Sequence, residues 1–162
     1  MSAPHRILIT GAGGFVGRWL VREFKSRQRP DLELHGLERH ASIETQTEYS
    51  HSADLLDQAA MKKLVAEVKP HVVIHLAAQA HVQQSHKAPH LTWDVNVIGT
   101  RNLAEAVQQA APDCLFIFIS SSEVYGGTFK TSSAPLDESA VLDPRSPYAL
   151  SKAAAEIGRA HV

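Results

Sequence analysis

The stretch Arg6-Ile7-Leu8-Ile9-Thr10-Gly11-Ala12-Gly13-Gly14-Phe15-Val16-Gly17 decides how the chain is read. Ile7, Leu8 and Ile9 form an apolar run of strand character that stops at a glycine cluster. An amphipathic segment follows at once, with Phe15, Val16, Trp19, Leu20 and Phe24. That order is strand, tight turn, helix. Gly11, Gly14 and Gly17 keep the spacing GxxGxxG, close to the GxGxxG fingerprint of dinucleotide sites. Gly11 permits the turn, Gly14 lets the backbone approach a pyrophosphate, and Gly17 lets the helix pack close to the strand. The free N–H groups at the positive end of the new helix then face the phosphates.

Outward from this turn, a helix is expected over residues 14–26 and a second strand over 31–37. Glu38 and Arg39 follow at the strand's tip, where a dinucleotide-binding unit meets the adenosine ribose. A carboxylate there accepts hydrogen bonds from both ribose hydroxyls, whereas an arginine attracts a 2′-phosphate. The chain offers both, with Glu38 first, which favours NAD and leaves NADP open. Residues 40–50 read as loop or a short weak helix, and a short extended piece ends at Ala53-Asp54-Leu55. Asp54 stands where a third strand delivers a residue to the adenine, or it is a turn aspartate. A helix over 57–69, capped by Asp57, stops before Pro70.

His71 to Leu76 is a fourth strand that ends in the small pair Ala77-Ala78, over which a cofactor can pass. A loop over 79–88 leads to a long helix over 89–110, in which Asn96 is a polar residue on a buried face in need of a partner. Leu115 to Ile119 is the fifth and most apolar strand, and so expected at the sheet's centre. It runs into Ser120, Ser121, Ser122 and Glu123. A proline-, serine- and aspartate-containing segment over 127–147 reads as a functional loop, and a last helix spans 147–158. Five alternations of strand and helix imply an α/β protein, a doubly wound parallel sheet in the order 3-2-1-4-5. The cofactor set on its C-terminal edge is Gly11, Gly13, Gly14, Phe15, Val16 and Gly17, then Glu38, Arg39, Asp54 and Leu55, then Leu76, Ala77, Ala78 and Gln79. Tyr148 and Lys152, four apart on the last helix, complete it. An ammonium beside a phenol favours the phenolate, which can exchange a proton with a sugar hydroxyl or carbonyl, and Ser121 can hold the same oxygen.

At 162 residues the chain suits one domain. A formal net charge of −1 gives no reason to expect nucleic acid or an anionic membrane as partner. The longest apolar run, residues 114–119, is too short to span a bilayer. Cys114 is the only cysteine, which excludes an internal disulfide and fits a reducing cytosol. The ten histidines are scattered, and Pro89 separates His86 from His90, so no metal site is expected.

TGAGGFVG (10–17), HLAAQA (75–80), DVNVIGT (94–100), SSSEVYG (120–126) and SPYALSK (146–152) together resemble the extended short-chain dehydrogenase/reductases, the nucleotide-sugar epimerase, dehydratase and reductase group. The resemblance spans nearly the whole chain. It implies a Rossmann fold and assigns Tyr148 and Lys152 to the family's YxxxK pair, Ser121 to its Ser/Thr and Asn96 to the asparagine that supports the lysine through water. HLAAQAHVQQS and DPRSPYALSKAAAE look most like the GDP-4-keto-6-deoxymannose reductases, whose substrate is a GDP-hexose. The same segments are similar to 4,6-dehydratases, for which Glu123 would be the base, with Ser122 where some carry aspartate. Family members run to about twice this length, with a C-terminal part that supplies the sugar-nucleotide pocket, and they commonly dimerise through their long helices. This chain is accordingly expected to be an N-terminal portion, cytoplasmic, a homodimer in full-length form, and alone a weak dinucleotide binder without turnover.

Overall fold

In the computed structural model, residues 4–40 and 46–159 are described. Five strands form one parallel sheet in the order β3-β2-β1-β4-β5: β1 His5–Thr10, β2 Leu32–Glu38, β3 Tyr49–Ser52, β4 Val72–His75 and β5 Leu115–Phe118. This is the order expected from the alternation of apolar runs. The register sets Thr10 beside both Leu37 and His75, Glu38 beside Ser52, and His75 beside Phe118. All five C-terminal ends therefore share one edge.

Helix α1 (Phe15–Ser26) covers one face, alone among the described helices, laying Leu20, Val21 and Phe24 on Ile7, Ile9, Leu34 and Ile74. Helix α2 (Gln58–Val68) covers the other with Met61, Leu64, Val65 and Val68, joined by Leu103, Ala106 and Val107 of a later helix, over Leu8, Leu37 and Val73. β1 is thus buried on both faces, which is why its sequence is a continuous apolar run and not an alternating one. Asp57 caps α2 by accepting the Ala60 N–H at 2.9 Å, and Lys69 closes it in the left-handed region before Pro70.

The long helix expected over 89–110 is α4 (Pro89–Trp93), a π-helical segment Asp94–Ile98, and α5 (Gly99–Ala110). Three other expectations change. The loop over 79–88 contains a short helix, α3 (Val82–Lys87). Of residues 40–50, 41–45 lie outside the described residues, while Tyr49 and Ser50 are strand. β5 is an edge strand among the described ones and not central: Phe116 and Phe118 face the helix layer, while Leu115 is 59% exposed with Ile117 and Ile119 also exposed. The last helix, α6 (Pro147–Arg159), packs on the α3–α5 side.

Around the glycine turn the packing is backbone on backbone. A Cβ on Gly17 would stand 2.2 Å from the Gly11 carbonyl oxygen and 2.6 Å from that of Ala12, whereas one on Gly14 meets only the Gly11 oxygen, at 3.1 Å. Gly17→Ala is expected to lower unfolding stability by at least about 3 kcal/mol, and Gly14→Ala by about 1 kcal/mol. Denaturant titration of both variants measures this, and equal effects would contradict it.

Candidate dinucleotide crevice and adjoining polar cluster

Gly11 holds φ +70°, a left-handed conformation that glycine adopts without strain, and donates its N–H to Leu37 O at 2.9 Å. The turn therefore delivers α1 directly above the sheet edge. Gly14 is the N-cap of α1 in extended geometry; no side chain caps it and no acidic residue stands in the first turn. The positive end of the helix is thus left without a capping side chain of its own. Glu38, from the tip of β2, reaches across and accepts the Gly13 N–H.

A cavity of about 530 Å³ opens along this edge, a volume typical of ligand sites. It brings together Gly11, Gly14, Phe15, Val16, Gly17, Glu38, Arg39, Asp54, Leu55, Leu76, Ala77, Ala78 and Gln79 from the set expected on the sequence. Gly13 is not a lining residue; its N–H bonds to Glu38, which is one. Thr10, Leu37, Ala53, Ala80, Leu91 and Val95 also line it. Leu91 and Val95 are four apart on the long helix, a spacing that marks a helix face without telling a core from a cavity wall. A second hollow of about 510 Å³, lined by Phe24, Arg29, Leu32 and Glu48 among others, carries none of the motif residues.

At the β2–β3 end the charges are paired. Arg39 Nε lies 3.2 Å from Asp54, whose other carboxylate oxygen accepts the Leu56 N–H at 2.9 Å. Asp54 thus holds Arg39 and its own turn while also lining the cavity.

Ser121, Glu123, Tyr148, Lys152 and Asn96 do not line the cavity; they gather around β5, α6 and the π segment. Ser121 caps the short 3₁₀ turn Ser122–Tyr125, its hydroxyl oxygen accepting the Glu123 N–H at 3.2 Å. Glu123 is exposed and Tyr148 half-buried. Lys152, only 5% exposed, donates from Nζ to the Ile119 carbonyl at 2.9 Å and lies 4.8 Å above the Phe118 ring. Burial lowers its ammonium to about 8. Asn96, 1% exposed, accepts the Gln79 N–H at 2.8 Å and donates to Gln79 O at 3.2 Å and to Ser151 Oγ at 2.9 Å. Its direct partners are thus the turn after β4 and the residue beside Lys152. The Ser151 hydroxyl passes on to the Tyr148 carbonyl at 2.7 Å. Ser120 donates to Glu156 at 2.9 Å, tying the end of β5 to α6. Among the described residues, no three His, Cys, Asp or Glu side chains group to hold a metal, and no helix is long and apolar enough to cross a membrane.

Sheet order, left-handed glycine turn and edge cavity define a Rossmann-type α/β domain. Residues 8–159 match the GDP-mannose 4,6 dehydratase family, and the chain belongs to it, within the extended short-chain dehydrogenase/reductases. A GDP-6-deoxy-D-mannose reductase of Pseudomonas aeruginosa is 34% identical over 94% of this chain and 45% of its own. A UDP-glucose 4-epimerase of Mycolicibacterium smegmatis is 36% identical over 94% and 49%. The crystal structure of the Thermus thermophilus UDP-glucose 4-epimerase in complex with NAD superposes with a TM-score of 0.79 at 32% identity, covering 94% of this chain and 49% of that one. The chain spans about half the length of the curated relatives it matches.

Lys152 gives a pH signature. Below about pH 8 its amine is charged in both folded and unfolded states and bears the full cost of burial. Above that, the folded protein sheds the proton before the unfolded chain does at about 10.5, so the group's contribution to stability rises with pH across that interval. Wild-type stability is expected to gain on Lys152→Met between pH 7.5 and 10 in denaturant titrations; a constant difference would contradict it.

Proposed function

We propose that residues 1–162 form the NAD(P)-binding domain of a nucleotide-sugar oxidoreductase, acting on a GDP-hexose in the manner of the GDP-4-keto-6-deoxymannose reductases. The observation that carries this reading is the edge cavity, which places an uncapped helix N-terminus, the Glu38 carboxylate and the Ala77-Ala78 strand end around one volume. The N-terminus of α1 would hold the diphosphate, and Glu38 would exchange the Gly13 N–H for the ribose hydroxyls. NAD is favoured over NADP because Arg39 is already held by Asp54, while a carboxylate stands at the strand's tip. The bound dinucleotide supplies hydride exchange at the sugar carbon. Tyr148 gives or takes the accompanying proton at the sugar oxygen, Ser121 holds that oxygen, and Lys152, fixed on Ile119 O, brings positive charge to the phenol.

A second reading is a 4,6-dehydratase, which Glu123 favours: it is exposed and its backbone N–H bonds to the Ser121 hydroxyl, which keeps an acidic residue on the same short turn as Ser121. The matched family carries that activity in its description. Supply of the sugar-nucleotide pocket is assigned to a further C-terminal part, and the full-length protein to a cytoplasmic homodimer, in line with the lone Cys114.

Titration with NADH and NADPH, followed by nucleotide fluorescence, tests the cofactor. NADH is expected to bind at least about tenfold more tightly than NADPH, and Glu38→Ala to weaken NADH by about tenfold, the loss of one charge-assisted contact. No binding of either nucleotide would overturn the proposal. In a protein of the relatives' length carrying these residues, Tyr148→Phe is expected to retain NADH affinity and lose turnover by at least about 100-fold. Undiminished turnover would remove Tyr148 from the chemistry.

A further inference from the structure

His75 ends β4 with its ring fully buried against Phe116 and Phe118, at 6.0 Å between centroids in each case. Its Nδ1 stands 2.7 Å from Thr10 Oγ1 and its Nε2 2.9 Å from Thr100 Oγ1. Hydrogen-bond arithmetic leaves one assignment. Thr100 has a single hydroxyl proton and spends it on the Asn96 carbonyl at 2.6 Å, an atom that can only accept. Thr100 Oγ1 therefore accepts from Nε2–H. Nδ1 is bare and accepts the Thr10 hydroxyl proton, and Thr10 Oγ1 in turn receives the Ala77 N–H at 3.1 Å. A second proton on the ring would leave the Thr10 hydroxyl without this acceptor and set a charge in the core beside Lys152. Burial and that neighbouring ammonium hold His75 down at about 3, so the ring is neutral.

The far end of this chain of bonds is the main chain of Asn96, inside the π segment. A slip of one residue there would turn Asn96 about 100° around the helix axis and move it about 1.5 Å along it. Its side chain would then miss Gln79 and Ser151. We infer that His75, as the Nε2–H tautomer, is a positioning residue: through Thr100 it fixes the register of the π segment and so holds Asn96 between the crevice wall at Gln79 and helix α6. Its weight in function rests on the crevice being the cofactor site, but the geometry and its test do not.

Two measurements on the whole chain decide it. Two-bond ¹H–¹⁵N correlation of the histidine rings is expected to show His75 as Nε2–H, without titration between pH 5 and 8; an Nδ1–H or charged ring would overturn the inference. Hydrogen exchange then follows the Gln79 amide, which bonds to Asn96. Thr100→Val is expected to speed its exchange at least tenfold while the Val65 and Leu103 amides keep theirs. His75→Gln, which retains an N–H near the Nε2 position, should be milder than His75→Asn. An unchanged Gln79 amide, or a uniform rise that includes the core amides, would overturn the inference. Should Thr100→Val fail to fold, the ring tautomer of the unaltered chain still decides. Failure of the wild type to bind NADH would instead strike the proposed function and leave these outcomes untouched.

Discussion

The fold depends on one contact between two pieces of backbone. Gly17, in the first turn of α1, rests against the carbonyls of Gly11 and Ala12, nearer than any side chain would allow. Gly11, in the left-handed region, completes the arrangement: a Cβ there would stand 2.9 Å from the Ala77 nitrogen. The turn therefore touches both the helix it launches and the strand end next to it. Two conditions follow together. The N-terminus of α1 is aimed along the sheet edge, and the C-terminal end of β4 is held where the crevice needs a shallow floor.

The opposite face is organised by the long helix, which serves as a spine for three walls. Gly99 lets Leu55 approach, since a Cβ there would come within 2.9 Å of the Leu55 Cβ, and Asn102 donates to the Leu55 carbonyl at 3.0 Å. Between these two, Thr100 reaches His75 at the end of β4. About one turn earlier, Asn96 binds Gln79 and Ser151 at once. The wall at Leu55, the end of β4 and α6 are thus fixed relative to one another by polar bonds in a dry interior, where each is worth more than at the surface and costly to leave unmade.

Much of this was legible in the sequence. Apolar runs of strand length, punctuated by glycine and proline, gave the element order and hence the sheet order, because parallel strands joined by helices admit few topologies. The C-terminal edge followed, and with it most of the cavity lining. The misreadings have a common cause: hydrophobicity reports burial summed over neighbours the sequence does not name. The five apolar residues from Leu115 to Ile119 suggested a central strand, yet only Phe116 and Phe118 are covered by the helix layer. The π segment adds one residue to a helical turn without disturbing the apolar stripe enough to show. Leu91 and Val95 line the cavity, a role that helical spacing alone does not tell from core packing. His75 sat inside a quoted motif, but nothing in its neighbours reveals Thr10 and Thr100, which are 65 and 25 residues away.

We propose that an anion binds across the N-terminus of α1 and displaces the Glu38 carboxylate from Gly13. In an amide ¹H–¹⁵N titration of the chain with NADH, the largest shifts are expected on Gly13, Gly14, Phe15, Val16 and Gly17. Shifts centred instead on the hollow at Phe24, Leu32 and Leu34, with the glycine turn unmoved, would contradict it.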